Sequence, residues 1–152
     1  MIIFDLETNG LLETVDKVWV ASWLTEDGPQ TETYRTGFYE FFKSLGKGQR
    51  IIGHNIVNYD LPVLKKLFDW SPSEDQELFD TTIWSRMLWP DIPTPKGCRH
   101  AHSLQAWAIR FGGEQKVEQE EWNVYDPNMV TRCESDVRIT EMLYKKILKE
   151  IQ

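Results

Sequence analysis

Apolar residues fill four of the first six positions of the chain, Ile2, Ile3, Phe4 and Leu6. Such a run suits a β-strand covered on both faces. Asp5 and Glu7 interrupt it two residues apart, so on a strand they share one face. Asn9-Gly10 then marks a turn. Residues 17–24 (KVWVASWL) are rich in strand formers, 26–29 (EDGP) form a turn, and 31–36 alternate as a further strand. The first three strands read as an antiparallel meander. Phe38, Phe41, Phe42 and Leu45 recur at helical spacing, and Gly46 and Gly48 end that helix. Residues 50–55 form a short buried strand, and the intervening helix makes it a parallel neighbour of the first.

The second half of the pattern is helical. Residues 58–68 predict a helix with Pro62 tolerated in its first turn and Leu61, Leu64, Leu67 and Phe68 inward. Residues 69–75 read as loop. Asp80 is placed to cap a short helix running to Leu88. Residues 89–101 hold three prolines and read as loop. Leu104, Trp107, Ala108 and Phe111 define a helix stopped by Gly112-Gly113. Residues 114–125 predict an exposed acidic connection. Asp126-Pro127 opens a last helix to about Lys149, with Val130, Cys133, Val137, Tyr144 and Ile147 inward.

Composition narrows the class. At 152 residues the chain can build one domain with one real core. No apolar run approaches the ~20 residues of a membrane span. The N-terminus lacks the basic start of a signal peptide. Two cysteines, Cys98 and Cys133, make no disulfide framework and fit a reduced, cytoplasmic setting. The net charge of −7 argues against a protein that coats nucleic acid through its overall charge. The charge is uneven, however. Residues 1–16 carry Asp5, Glu7, Glu13 and Asp16 without a basic residue, whereas residues 86–116 carry Arg86, Lys96, Arg99, Arg110 and Lys116.

Two carboxylates on one strand face repel each other and resist desolvation, which a divalent cation between them would relieve. A solvated acidic strand end is the plain alternative. Asp60 opens the helix after the fourth strand, and Asp136 lies beside the apolar face of the last helix. In open α/β sheets, ligands gather outside the carboxyl ends of the strands. Asp5, Glu7 and Asp60 can therefore converge there, and Asp136 needs a partner that a shared ion would supply.

Asp5-x-Glu7-Thr8, Asn55-x-x-x-Tyr59-Asp60 and Asp136 resemble the three motifs of the DEDD 3′→5′ exonucleases. The chain is most similar to the proofreading exonuclease domain of podophage-type family A DNA polymerases. Asp80-Thr81, the run from His102 to Trp107, and Trp122-Asn123 have counterparts in order. The resemblance implies a ribonuclease-H-like α/β fold, a mixed five-stranded sheet of antiparallel meander plus parallel strands, flanked by helices. It makes residues 1–152 a single exonuclease domain with two divalent cations, Mg²⁺ or Mn²⁺, about 3.5–4 Å apart. Asp5, Glu7 and Asp136 would hold the first ion, with Asp5 bridging to the second, and Asp60 would serve the second. Thr8 and Leu11 match positions that touch the 3′-terminal nucleotide, and Asn55 and Tyr59 share the substrate-facing motif.

The implied activity is two-metal hydrolysis of single-stranded or frayed DNA 3′ ends, releasing nucleoside monophosphates during proofreading in DNA replication. The implied setting is a phage-infected bacterial cell, without membrane. The chain would be a separately encoded subunit working with a DNA polymerase, or the excised front of one. One position departs from the family. Relatives carry a Tyr four residues before the last Asp, or a His five before it; here these are Arg132 and Thr131. Arginine cannot act as a base. Arg132 therefore predicts a slowed enzyme, with Tyr59 or Tyr125 as substitutes. A weakened module that binds DNA or a replication partner, and a 3′→5′ RNA exonuclease, are the alternatives. Cys98-x-His100-x-His102 matches no familiar zinc spacing and reads as a basic loop.

Overall fold

A computed structural model describes residues 1–113 and 121–152. Five strands form one sheet in the order β3-β2-β1-β4-β5. The central strand β1 (Ile2–Thr8) pairs antiparallel with β2 (Val18–Thr25) and parallel with β4 (Arg50–Gly53). β3 (Gly28–Thr33) adds antiparallel to β2, and β5 (Glu77–Asp80) adds parallel to β4. The helices are α1 (Tyr39–Lys47), α2 (Leu61–Phe68), α3 (Thr81–Leu88), α4 (Leu104–Arg110) and α5 (Asn128–Ile151). The sheet is the mixed five-stranded one expected.

The strand period of two sends alternate residues of β1 to opposite layers. Ile2, Phe4 and Leu6 pack with Phe41 and Leu45 of α1 and Val63 and Leu64 of α2. Ile3 packs with Ile52, Phe79, Trp107 of α4, and Val137, Leu143 and Ile147 of α5. Ile2, Ile3 and Phe4 are fully buried, each worth about 1.5–3 kcal/mol. Asp5 and Glu7 continue the odd row, so β1 presents them to the α5 side.

Several boundaries differ from the sequence pattern. Thr25 pairs with Gly28, so the hairpin turn is Glu26-Asp27 alone and β3 starts three residues early. Pro29 is tolerated because β3 is an edge strand. The expected strand at 31–36 ends at Thr33, and Tyr34–Thr36 form a 3₁₀ turn. β5 lay in a stretch without a readable period. It is four residues long and only Phe79 and Asp80 are buried. The helix expected from residue 58 begins at Leu61, after a π-helical turn over Ile56–Asp60. α5 begins at Asn128, whose N–H is capped by the Asp126 carboxylate at 2.9 Å. Of the acidic connection expected at 114–125, residues 114–120 lie outside the described part, and Glu121 to Val124 are exposed. Among the described residues no helix is long and apolar enough to cross a membrane.

Candidate active site

The acids of β1 meet α5 at the carboxyl end of the strand. Carboxylate oxygens of Asp5, Glu7 and Asp136 all lie within 4.8 Å of one another. Glu7 and Asp136 are buried and Asp5 is partly exposed. The register of β1 against β2 slips between Glu7 and Thr8, the kind of irregularity that re-aims side chains beside active sites. Cys133 lies one turn before Asp136 and fixes the helix to the strand. Its thiol donates to the Asp5 carbonyl at 3.2 Å and lies 3.5 Å from Asp5 Oδ2. Burial, then the Asp5 and Glu7 carboxylates, push the thiol well above its usual range, so it stays a neutral donor.

Asp60 reaches the site by a less regular path. β4 ends at Gly53, where a Cβ would lie 2.0 Å from Cγ2 of Ile56. Asn55 takes a left-handed conformation (φ 62°), which asparagine tolerates better than most residues. The chain then winds through the π-helical turn ending at Asp60. Asp80 holds this path together. Its carboxylate accepts the N–H of Asn55 at 3.0 Å and of Val57 at 3.1 Å, while capping α3 through the N–H of Thr82 at 2.9 Å. Asp60 is buried, and burial is the main cause that raises its carboxyl to about 8, with the Asp80 and Glu7 carboxylates adding to it. Backbone hydrogen bonds from Asp60 itself and Leu6 act in the opposite direction.

These donors suit a divalent cation. Three converging carboxylates offer only hard oxygen atoms, the donor set of Mg²⁺, Mn²⁺ or Ca²⁺ rather than a thiolate-bound ion. Asp60 stands outside the three-way group, and the Glu7 carboxylate is the smallest of the causes that raise its carboxyl. Negative charge is crowded here, and a cation would relieve it.

The remaining residues singled out in the sequence surround this cluster. The Tyr59 hydroxyl donates to the Gly10 carbonyl at 2.5 Å and sits against the Thr8 hydroxyl. This bond anchors the loop after β1 and leaves Leu11 highly exposed. Tyr59 is therefore committed to the loop, and Tyr125 packs against Trp19 and Tyr34. Asn55 is exposed at the mouth of the turn. Arg132 lies one turn before Asp136, with its guanidinium 5.2 Å from the ring centre of Trp122. Trp122 is tied in turn to β2, since its carbonyl accepts the Trp19 indole N–H at 2.9 Å. His102 pairs with Ser85 at 2.7 Å, a structural bond. Among the described residues the Asp5, Glu7 and Asp136 group is the one with metal-ligand geometry, and Cys98, His100 and His102 form none.

Four supporting residues were not legible beforehand. Asp80 was readable as a cap of α3, but its hold on the turn depends on contacts 23 and 25 residues away. Cys133 was readable as core, and its bond to Asp5 spans 128 residues. Gly53 carried a faint signal as a glycine closing a strand, where close backbone approach is common. Trp122 was readable only as part of the resemblance, and its contact with Arg132 was not.

Comparison with known proteins agrees with this fold. The RNase_H_2 model of the RNase_H superfamily matches residues 2–89. The chain belongs to that superfamily. The DNA-directed DNA polymerases of Escherichia phage T7 and Enterobacteria phage T3 are 26% and 25% identical over 99% of this chain. The chain spans 27% of the length of each. Among solved structures, Brucella melitensis NrnC superimposes with a TM-score of 0.71 at 20% identity, covering 97% of this chain and 72% of that one. Exonuclease I in its product-bound form follows at a TM-score of 0.66 and 15% identity, covering 98% and 43%. These likenesses accord with the resemblance to DEDD exonucleases carried by the motifs.

Proposed function

We propose that residues 1–152 form a single metal-dependent 3′→5′ exonuclease domain acting on single-stranded or frayed DNA ends. The observation that carries this reading is the convergence of Asp5, Glu7 and Asp136 at the carboxyl end of β1, within 4.8 Å of one another. Asp5, Glu7 and Asp136 would hold one divalent ion, and Asp60, with Asp5, would serve a second. When bound, such ions supply the Lewis acidity that activates water and stabilises the departing 3′ oxygen. The protein's own part is positioning. The loop fixed by Tyr59 and Thr8 presents Leu11 beside the terminal base, and Asn55 stands at the rim of the turn that delivers Asp60.

Arg132 takes the place from which a tyrosine would orient the attacking water. A guanidinium backed by Trp122 can grip the scissile phosphate, but it cannot accept a proton. The domain is therefore a slow proofreading-type exonuclease, working beside or within a DNA polymerase. That partner is suggested by the phage polymerases that share this region. The solved NrnC with bound pGG supports a short oligonucleotide as the second reading of the substrate.

The test is hydrolysis of a 5′-labelled single-stranded DNA, and of RNA of the same sequence, with Mg²⁺ or Mn²⁺. The expected result is a 3′→5′ ladder on DNA that Asp136→Ala abolishes. Arg132→Tyr should accelerate it, since a positioned proton-transfer group contributes ~10²–10⁴ in rate. A ladder on RNA alone would move the assignment to RNA. No ladder from wild type or Arg132→Tyr on either strand would remove the exonuclease reading.

A further inference from the structure

A buried serine sits in the middle of β2. Ser22 is the one hydroxyl residue in the apolar run 18–24, yet it is only 2% exposed. A hydroxyl buried without a hydrogen bond costs free energy, so its partners explain its place. Ser22 stands opposite Asp5 of β1 on one side and opposite Thr31 of β3 on the other. Cross-strand neighbours share a face, and this is the face that α5 covers.

The polar groups on it form a line. The Ser22 and Thr31 hydroxyls lie 2.9 Å apart. Ser22 also hydrogen-bonds the Cys133 sulfur. The Cys133 thiol donates to the Asp5 carbonyl at 3.2 Å, and its sulfur stands 3.5 Å from Asp5 Oδ2. Each hydroxyl or thiol has one hydrogen to give. One direction satisfies them all: Thr31 donates to Ser22, Ser22 to the sulfur, and the thiol to the backbone of β1. The line therefore runs from the edge strand across β2 to Asp5, and Cys133 brings α5 into it.

It ends on the acid with the least around it. Glu7 and Asp136 are buried, whereas Asp5 is partly exposed. Packing restrains the first two. An ion that bound a loose Asp5 would have to freeze its rotamers. The thiol holds the backbone of Asp5 through its carbonyl, and the sulfur beside Oδ2 narrows the positions open to the carboxylate. Groups that orient a metal ligand in this way raise affinity for the metal.

We infer that Ser22 and Cys133 are positioning residues for Asp5, setting its carboxylate for a divalent ion before the ion binds. This inference rests on the metal-dependent reading of the acids and not on the choice of substrate.

The experiment measures Mn²⁺ binding to the protein without nucleic acid, by electron paramagnetic resonance, beside kcat and KM on a single-stranded DNA across a Mn²⁺ series. The variants are Cys133→Ala, Cys133→Ser and Ser22→Ala. Leu143→Ala, at a fully buried position further along α5, is the control for a merely loosened core. Cys133→Ala should weaken Mn²⁺ binding about ten- to a hundredfold, and Ser22→Ala should weaken it by less. KM for the strand at saturating Mn²⁺ should not change. Cys133→Ser, whose hydroxyl can replace the thiol as donor, should recover most of the loss. Wild-type affinity for Mn²⁺ in either alanine variant would overturn the inference. So would a loss in Leu143→Ala as large as in Cys133→Ala, or no recovery in Cys133→Ser, since either would leave packing as the cause. Should Cys133→Ala not fold, Ser22→Ala decides alone: weakened binding supports the line and unchanged binding overturns it. A wild type that binds Mn²⁺ and cuts nothing loses the exonuclease reading, while the binding series still decides the role of Ser22 and Cys133. A wild type that binds no Mn²⁺ removes both.

Discussion

Asp60 shows how far one residue's chemistry departs from its ordinary state. Its carboxyl lies at about 8 in the folded protein, against an ordinary value of 3.8. The metal-free folded state therefore keeps a proton that the unfolded chain gives up near 3.8. That preference stabilises the fold fully below the unfolded value and is lost as pH rises through about 8. Thermal melts in EDTA should fall steadily from pH 5 to 8.5, and Asp60→Asn should flatten the trend. Millimolar Mg²⁺ should also flatten it, because a cation favours the ionised form. A metal-free melting temperature that holds or rises across this range would show that Asp60 is not the proton-holding group. Asp5 and Glu7 were legible as a pair because a strand sets their common face over two residues. The raised carboxyl of Asp60 was not, because its causes, burial, Asp80 and Glu7, come together only in the fold.

At the scale of elements, the irregular connection from β4 to α2 matters more than any regular helix. Gly53, left-handed Asn55 and the π-helical turn place Asp60 without a standard cap. Gly53→Ala would set a methyl 2.0 Å from Cγ2 of Ile56 and 3.3 Å from the Phe4 carbonyl. Ile56 is fully buried and cannot swing away into solvent. Overpacking of this kind costs about 1–3 kcal/mol. Urea melts should show a loss of that size, and cleavage should fall further than stability alone explains, because the turn carrying Asp60 must shift. An alanine variant with wild-type stability would show that the turn has slack. These helices were legible because their apolar faces repeat at helical spacing, as Leu104, Trp107 and Ala108 do in α4, and Cys133, Val137, Tyr144 and Ile147 in α5. β5 was not, because two buried residues in four give no period. The π turn was not, because local sequence cannot separate it from the first turn of α2.

For the whole molecule, the three acids that converge at the end of β1 work against stability as long as no ion joins them. The fold spends burial on both faces of β1 and then places carboxylates at its end, where charge repulsion opposes packing. Such a site is expected to be a source of instability until a cation arrives. Asp5→Asn separates the two effects. Asp5 is partly exposed, so the new amide hydrogens can reach water and desolvation costs little. Relief of repulsion with Glu7 and Asp136 should then dominate. The metal-free variant should melt a few degrees above wild type, since about 1 kcal/mol corresponds to roughly 2–4 °C at this size. Its melting temperature should no longer rise with Mn²⁺, whereas wild type should gain stability from the ion. Differential scanning calorimetry with EDTA and with Mn²⁺ measures both quantities in one design. A variant less stable than wild type without metal, and still stabilised by Mn²⁺, would mean that the carboxylates are held by protein contacts rather than kept for an ion.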